Sequence, residues 1–391
     1  MTFKDTARTC YLCYIWQAAV NNLPPLLFLT FEQEFGISVS QLGFLVMLNF
    51  GTQLLSNMFT GRLVSRAGYR LAIVLSSGLC ALGLFLMGAL PRIFGFPALV
   101  VAMIINGVGG GVGDVLCSAI IQTLPTDTHG GNAMALLHSA YSWGMMIVIL
   151  VSTLLFRFLG MENWHWVAFL WALFPLLGMF LFLRVPMVAT ENGGHQAGMS
   201  AKSLFSLPLF WILGGMMFCG AGSEISMSQW ASLFAEQSLG VDKMVGDILG
   251  PCLFGFSMAV VRTVYGLYGQ RFPLRNWLFV SSILAVVLYA LTVFSDIPML
   301  ALFGCAFTGA ATALFWPGTL SISASMLPHG GAAMFGYLAF IGNLGSTFGP
   351  QMVSLTASVS HDLKTGLLAA GVFPLGMVAL TSFCRRSERR G

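Results

Sequence analysis

The sequence predicts an all-α membrane protein in which twelve transmembrane helices form two six-helix halves. Of its 391 residues, 57% are hydrophobic and only 8% are charged, whereas a soluble globular domain carries roughly 25% charged residues. Apolar segments of about 20 residues, the length that crosses a bilayer, recur twelve times along the chain. Loop sequences of the first half also recur in the second half, which predicts an internal duplication.

The predicted spans are numbered helix 1 to helix 12 in chain order. They cover residues 10–32, 39–60, 70–90, 96–122, 131–159, 164–184, 207–235, 245–268, 274–294, 297–326, 331–358 and 363–384. The polar stretch 185–206 contains ENGGHQAG and has the composition of a flexible linker. It separates an N-terminal half, 1–184, from a C-terminal half, 207–391. The pairs Pro24–Pro25 and Trp316–Pro317 predict bends in helices 1 and 10.

The distribution of Lys and Arg predicts the orientation in the membrane. With the N-terminus in the cytoplasm, thirteen of these residues fall on the cytoplasmic side and four on the opposite side, as the positive-inside rule requires. Both termini and the linker are then cytoplasmic. No cleavable signal peptide is expected, because Met1–Thr9 is short and polar. We expect the protein in the plasma membrane, specifically in a bacterial inner membrane.

Two pairs of loops repeat at a distance of about 200 residues. GRLVSRAGYR (Gly61–Arg70) follows helix 2, and GLYGQRFPLR (Gly266–Arg275) follows helix 8. LPTDTHGGNAM (Leu124–Met134) follows helix 4, and LPHGGAAM (Leu327–Met334) follows helix 10. A parallel repeat of this kind places a binding site between the two halves, near the middle of the bilayer.

Helix 4 carries a carboxylate, Asp114, inside the apolar segment NGVGGGVGDVLCSAIIQ. An ionised group at the bilayer centre costs about 3 kcal/mol on insertion scales, so it persists where it faces a polar interior and is used. At helical spacing, Gly107, Gly111 and Ser118 share its face. In the alternative interpretation, the glycines permit close helix packing and Asp114 bonds a neighbouring backbone.

Helix 7 carries a second intramembrane carboxylate, Glu224, with Ser228 one turn further and Gln229 and Trp230 beyond it. An unpaired Glu224 could accept a proton, whereas a paired one would form an ion pair with Arg262 of helix 8. The predicted boundaries offset these two residues by about 10 Å along the membrane normal, at 1.5 Å per residue. Arg262 could instead bind an anionic substrate or backbone carbonyls near the cytoplasmic end.

Further polar and aromatic side chains, among them Gln17, Asn49 and Trp143, could line the same cavity between the halves. The candidate substrate-binding residues are Asn21, Asn22, Gln53, Asp114, His138, Tyr141, Glu224, Gln229, Trp230, Arg262, Trp316 and Asn343. Asp114 and Glu224 are also the candidate coupling residues. Each polar side chain could alternatively act only in helix–helix association. Together they suit a sugar, because its hydroxyl groups bond amides and its apolar face stacks on indole rings.

The six-plus-six arrangement and the repeated basic loop resemble the major facilitator superfamily, over essentially the whole chain. That family's loop motif is G-x-L-x-D-R-x-G-R, and Gly61, Leu63, Arg66, Gly68 and Arg70 fit it, whereas Ser65 replaces the aspartate. The resemblance implies the major facilitator fold. It also implies a conformational gate on the cytoplasmic side, formed by Gly61, Arg66, Arg70 and Arg271.

Several stretches resemble the fucose–galactose–glucose symporter group. They are NNLPPLLFLTFEQEFGIS, QLGFLVMLNFG, NAMALLHSAYSWG, GSEISMSQW and the glycine-rich helix 4. In that group an acidic residue of helix 4 takes part in sugar and proton handling, and Asp114 matches it. A second acidic position of the group, in helix 1, is Asn22 here. The helix 5 signature of many antiporters is missing, which disfavours drug–proton exchange.

Other function classes find no support in the sequence. It has no G-x-x-x-x-G-K-[ST] loop, no metal-ligand cluster and no soluble catalytic domain. We therefore expect neither an enzyme nor any catalytic or metal-ligating residue. The eight scattered cysteines are interpreted as small buried apolar residues. The net charge of +4 reflects membrane topology rather than nucleic-acid binding.

We expect a secondary transporter that moves a small polar solute, by preference a sugar, by alternating access. Its only cofactor would be the coupling ion, H+ or Na+. Its partners would be the solute and the lipid bilayer, and we expect a monomer. Two alternatives stay open, an exporter of organic anions or amphipathic compounds and a transport-inactive membrane sensor.

Overall fold

The computed structural model describes residues 1–125, 133–187, 199, 201–268 and 273–388. Among them, nine helical stretches are long and apolar enough to cross a membrane. One of these, Val39–Ala89, has 51 residues and would be about 77 Å long if straight, enough for two crossings of a bilayer core of about 30 Å. The long helices Phe3–Leu26 and Gly331–Ser360 complete an arrangement consistent with twelve crossings.

The bounds of the N-terminal half follow the predicted spans closely. Helix 1 is Phe3–Leu26 continued by Phe28–Phe35, helices 2 and 3 form Val39–Ala89, helix 4 is Phe96–Thr123, helix 5 is Ala133–Leu159 and helix 6 is Trp164–Arg184. A short helix, Pro91–Phe94, precedes helix 4, and a 3-10 turn, Met161–Asn163, precedes helix 6.

In the C-terminal half, several helices are built from two or three pieces. Helix 7 is Pro208–Leu233 with a π-helical turn Phe234–Ser238, and helix 8 is Lys243–Asp247, a π-helical turn Ile248–Cys252, and Leu253–Tyr268. Helix 9 is Leu274–Phe294, helix 10 is Pro298–Thr312 with Phe315–Met326, helix 11 is Gly331–Ser360, and helix 12 is Leu363–Ala370 with Val372–Glu388. The short helix Ala201–Phe205 precedes helix 7.

The two predicted bends are confirmed. Helix 1 is interrupted at Leu27 (φ −102°, ψ 3°), directly after Pro24 and Pro25. Helix 10 is interrupted before Phe315, at Leu314 (φ −99°, ψ 1°). Proline lacks the amide hydrogen of a helical bond and clashes with the preceding turn, so the chain breaks beside it.

The predicted loop Gly61–Arg70 is shorter than expected, because helix 2 continues almost through it. The helical run departs from helical geometry at Gly68 (φ 75°, ψ 164°). Glycine adopts a positive φ without the steric penalty of a Cβ atom. The motif glycine therefore lies where helices 2 and 3 meet.

The start of helix 1 and the described end of helix 12 lie at the same end of the bundle. The Thr6 hydroxyl donates to the carbonyl of Pro186 at 2.6 Å, which places the start of helix 1 beside the end of helix 6. The thiol of Cys384 lies 3.5 Å from the sulfur of Met326, which places the end of helix 12 beside the end of helix 10. We call this the terminal end of the bundle and the opposite one the far end.

The halves meet along two pairs of helices, with helix 2 against helix 11 and helix 5 against helix 8, while helix 1 contacts helix 7. At the far end the aromatic rings of Phe28 and Trp230 lie 5.3 Å apart across the interface. Gln237 donates to the carboxylate of Glu32 from the other half. The halves are therefore packed together at the far end.

The glycines of helix 4 serve close packing, as the alternative interpretation held. A methyl group added at Gly107 would lie 2.7 Å from the carbonyl oxygen of Asn49 on helix 2. One added at Gly109 would lie 2.8 Å from the backbone nitrogen of Cys80 on helix 3. Helices 2 and 3 can approach helix 4 this closely only because these positions lack side chains.

Candidate substrate and coupling site

Asp114 faces helix 1 and bonds a neutral partner. The Tyr14 hydroxyl donates to Oδ1 of Asp114 at 2.5 Å, and the same hydroxyl lies 3.0 Å from Oγ of Ser118 one turn further along helix 4. Within the described residues, Asp114 is in no ion pair. A phenol and a hydroxyl, rather than a cation, therefore surround this carboxyl group.

An aromatic contact connects the Asp114 group to helix 5. The rings of Tyr14 and His138 lie 5.7 Å apart in an edge-to-face arrangement. His138 belongs to helix 5, which also carries Ser142, a hydrogen-bond partner of Arg262. Asp114 of helix 4 is thus connected to helix 5 through Tyr14 of helix 1, within the N-terminal half.

Glu224 is paired directly with Arg262, which resolves the alternatives left open by the sequence. Nη2 of Arg262 lies 2.9 Å from Oε2 of Glu224. The same guanidinium donates to Oγ of Ser142 on helix 5 at 2.9 Å and to the carbonyl of Ala313 at 2.9 Å. Ala313 lies at the break in helix 10, where its carbonyl is free of a regular helical bond. Arg262 therefore joins helices 7, 8 and 10 of one half to helix 5 of the other.

The predicted offset between Glu224 and Arg262 left their pairing open, because it counted rise along the helix axis alone. Side chains of an α-helix lean toward its N-terminus. Helix 7 runs from the terminal end to the far end and helix 8 runs back. Glu224 therefore leans toward the terminal end and Arg262 leans toward the far end, so the two side chains converge.

Amide side chains form a second group around Asn21 of helix 1. Its Oδ1 accepts from Asn49 at 3.0 Å and from Gln53 at 2.9 Å, both on helix 2. Its Nδ2 donates to the hydroxyl of Tyr141 at 3.2 Å, and Nδ2 of Asn22 reaches the same hydroxyl at 3.3 Å. The predicted residues of helices 1, 2 and 5 thus form one hydrogen-bonded group.

Two contacts extend this group into the other half. Nε2 of Gln229 on helix 7 donates to the backbone carbonyl of Asn21 at 3.2 Å. The side-chain amide of Asn57 is taken in the orientation that gives both its oxygen and its nitrogen a hydrogen-bond partner. The oxygen then accepts from Asn343 of helix 11 at 3.2 Å, and the nitrogen donates to the carbonyl of Gln53 at 2.9 Å. The polar side chains of both halves therefore meet at the centre of the bundle.

The predicted tryptophans lie at the edges of this region. Trp230 is fully buried and donates to the carbonyl of Pro350 at 3.1 Å, so its ring and its N–H are already occupied in this conformation. Trp316 is partly buried and packs against Gly342 of helix 11. Trp143 donates to the hydroxyl of Thr263 across the interface at 3.1 Å.

The residues predicted to form the conformational gate have different environments. Arg70 donates to the carbonyls of Phe182, Leu183 and Val185 at 2.7–2.9 Å and so caps the end of helix 6 within its own half. Arg66 and Gly61 are exposed, and Arg66 makes no side-chain hydrogen bond or ion pair to the described part of the chain. Arg271 lies outside the described residues.

Three contributing residues were not among the predicted site residues. Tyr14 lies two turns before Asn21, so it shares the polar face of helix 1. Asn57 continues the i, i+4 series that begins with Asn49 and Gln53. Ser142 gave no such signal, because serine is common in helix interfaces within membranes.

The chain was compared with known proteins. The family model described as Major Facilitator Superfamily matches residues 10–350. No match was found among the curated proteins.

Solved transporter structures share the fold across nearly the whole chain. A D-xylose–proton symporter superposes with a TM-score of 0.80 at 15% identity, covering 97% of this chain and 96% of its own. A single-residue variant of the E. coli fucose:proton symporter gives 0.69 at 15% identity, with 98% and 99% coverage. The human organic anion transporter MFSD10 gives 0.70 at 19% identity, with 97% and 99% coverage.

Proposed function

This chain belongs to the major facilitator superfamily, and from that premise we propose that it carries a sugar-like polar solute together with a proton or a sodium ion. A protein of this family is a multi-pass membrane transporter, not an enzyme. It binds a small-molecule substrate within the membrane. The finer proposal concerns the chemistry of the solute and the way that its movement is driven.

The observation that carries the proposal is the amide group around Asn21. Asn49, Gln53 and Gln229 meet there with the hydroxyl of Tyr141, and the contacts come from both halves. Amides and phenols both donate and accept hydrogen bonds, as the hydroxyl groups of a sugar require. Glu224 and Arg262 already neutralise each other. A neutral solute can therefore bind without separating either charge from its partner.

We assign the coupling role to Asp114. Its carboxyl can gain or lose a proton, and the Tyr14 hydroxyl that bonds it in this conformation belongs to another helix. A change of its protonation would therefore alter a contact between helices 1 and 4. Sodium is the alternative coupling ion, since carboxylate and hydroxyl oxygens are also ligands for hard cations.

Alternating access requires that contacts between the halves break and re-form. In this conformation the far end is closed by Phe28 against Trp230 and by Gln237 against Glu32. Near the centre, Arg262 bonds Ser142 and Gln229 bonds Asn21 across the interface. We propose that these contacts separate when the halves rock to open the far end.

The charge distribution supports an orientation with both termini in the cytoplasm and the far end outside, in a bacterial inner membrane. Ile93 lies at the far end and is 71% exposed. An impermeant maleimide should therefore label a cysteine at Ile93 from the outside. Labelling only from the cytoplasmic side would reverse the orientation.

A thermal-shift screen of the purified protein against sugars, amino acids and organic anions tests the solute class. A ligand at 100 times its Kd stabilises the folded state by about 2.7 kcal/mol. We expect neutral sugars to raise the Tm, and Gln53→Ala to abolish the shift. Asn276→Ala, at an exposed position of helix 9, is the matched control and should keep it. If organic anions alone raised the Tm, and Arg262→Gln removed that effect, the protein would be an anion transporter instead.

A further inference from the structure

A cluster of charged side chains at the far end lies outside the proposed substrate site. Asp247 of helix 8 is completely buried. Its Oδ1 accepts from the Ser232 hydroxyl at 2.5 Å, and its Oδ2 accepts from the Thr153 hydroxyl at 3.0 Å. Nζ of Lys243 lies 3.2 Å from Asp247 and 2.9 Å from Glu236. We call Glu236, Lys243 and Asp247 the far-end cluster.

The far-end cluster contains two carboxylates for one ammonium group. The side chains of Asp247, Glu236 and Lys243 are 0%, 9% and 18% exposed. A buried charge without a partner is costly, and the usual response is that the group becomes neutral. With both carboxylates ionised, the cluster has one negative charge in excess.

The groups that face the far-end cluster from neighbouring elements do not supply the missing positive charge. Among the described residues they are the carboxylates of Glu34 and Glu162, which line the neighbouring cavity, and the thiol of Cys252. Arg92 is already paired with Glu34 at 3.0 Å and donates to the backbone carbonyl of Glu162. A cavity of about 300 Å³, lined by Glu34, Glu162, Glu236 and Lys243, lies beside the cluster at the far end.

The environment of Asp247 depends on closure of the far end. Thr153 belongs to helix 5 of the N-terminal half, whereas Ser232 and Asp247 belong to the C-terminal half. Gly255, two turns along helix 8 from Asp247, packs against the backbone of Met146 on helix 5. Separation of helices 5 and 8 would remove Thr153 from Asp247 and admit water to its carboxylate.

We propose that the far-end cluster is a proton-linked latch, which takes up one proton when the far end closes and returns it when the far end opens. The proton forms an O–H bond on one carboxylate oxygen of Glu236, and it enters and leaves through the adjacent cavity, which Glu236 lines. The proposal rests on the proposed alternating access but not on the solute or on Asp114. Because the closed state binds one more proton, raising the pH lowers the ratio of closed to open molecules, by up to tenfold per pH unit.

Distances between two spin labels test the latch. The labels are placed at Ile93 in the N-terminal half and Val359 at the end of helix 11, which are 71% and 83% exposed at the far end. The full chain carries cysteines only at these two positions. The substitution Asp114→Asn removes the other carboxyl group that we propose to exchange a proton. We expect the long-distance population to grow as the pH rises.

Matched variants of the far-end cluster separate its charge from its hydrogen bonds. Glu236→Gln and Asp247→Asn each leave one carboxylate for one ammonium group. In each variant the pH dependence of the closed-to-open ratio, which we call the pH slope, should therefore correspond to one proton fewer. Thr153→Val removes only the contact between the halves, so it should favour the open state at every pH and keep the slope.

Three results would overturn the latch: a parent distribution that does not change with pH, a slope unchanged in both carboxylate variants, or a closed fraction unchanged in Thr153→Val. If the distances responded to a stabilising sugar but not to pH, the latch would be wrong while alternating access stood. If the distances responded to neither pH nor a stabilising sugar, alternating access itself would be wrong.

Discussion

Asp114 and Glu224, the carboxylates of helices 4 and 7 that the sequence singles out, differ in the partner that each one has. Glu224 bonds the guanidinium of Arg262, and Arg262 also bonds Ser142 and Ala313, so both side chains have hydrogen-bond partners within the protein. Asp114 bonds the neutral hydroxyl of Tyr14. A carboxylate with a permanent counter-ion stays ionised, whereas one with a neutral partner can exchange a proton. From this difference we propose a structural role for Glu224 and the coupling role for Asp114.

At the residue scale, we predict that Arg262→Gln destabilises the protein because it leaves Glu224 buried without its counter-ion. Breaking a buried pair by removing one partner costs on the order of 3–5 kcal/mol. The double variant with Glu224→Gln should recover most of that loss, since neither charge remains. Unfolding of the purified variants in detergent would measure both effects. A double variant no more stable than Arg262→Gln alone would contradict the pairing.

At the scale of single helices, the sequence predicted the bends of helices 1 and 10 and named Asn21 and Asn22 of helix 1 as polar candidates. Prolines act locally, and polar spacing shows directly in the sequence, so neither feature depends on tertiary contacts. The pairing of Glu224 with Arg262 could not be predicted, because it depends on how antiparallel helices orient their side chains. Asp247 was missed because it lies at the edge of the predicted span 245–268, where a charge is common in membrane helices.

Also at this scale, helix 4 should tolerate no side chain at its packed glycines. Gly109→Ala would bring a methyl group to 2.8 Å from the backbone of Cys80 on helix 3, and backbone atoms cannot move aside cheaply. We expect a lower yield of monodisperse protein in size-exclusion chromatography and a lower Tm. Gly336→Ala on helix 11, where an added methyl group meets no atom within 4 Å, is the control. Equal behaviour of the two variants would argue against the packing role.

At the scale of the whole molecule, the two halves meet through contacts of different chemistry at different depths. Phe28 and Trp230 pack together at the far end, while Arg262 and Ser142 bond near the centre. Asp114 and Tyr14 lie within the N-terminal half alone. We propose that the Asp114 carboxyl is separate from the contacts that break during transport, and that it influences them through Tyr14 of helix 1 and His138 of helix 5.

The central claim is that Asp114 couples solute movement to an ion gradient, and transport in proteoliposomes tests it most directly. The probe is a radiolabelled sugar that raises the Tm of the wild-type protein. Asp114→Asn keeps the size and hydrogen bonding of the side chain but cannot be ionised, so we predict that exchange of the sugar across the membrane persists. Accumulation of the sugar under an imposed proton or sodium gradient should be lost. Accumulation by Asp114→Asn at the wild-type level, with loss in Glu224→Gln, would contradict the account and assign coupling to helix 7.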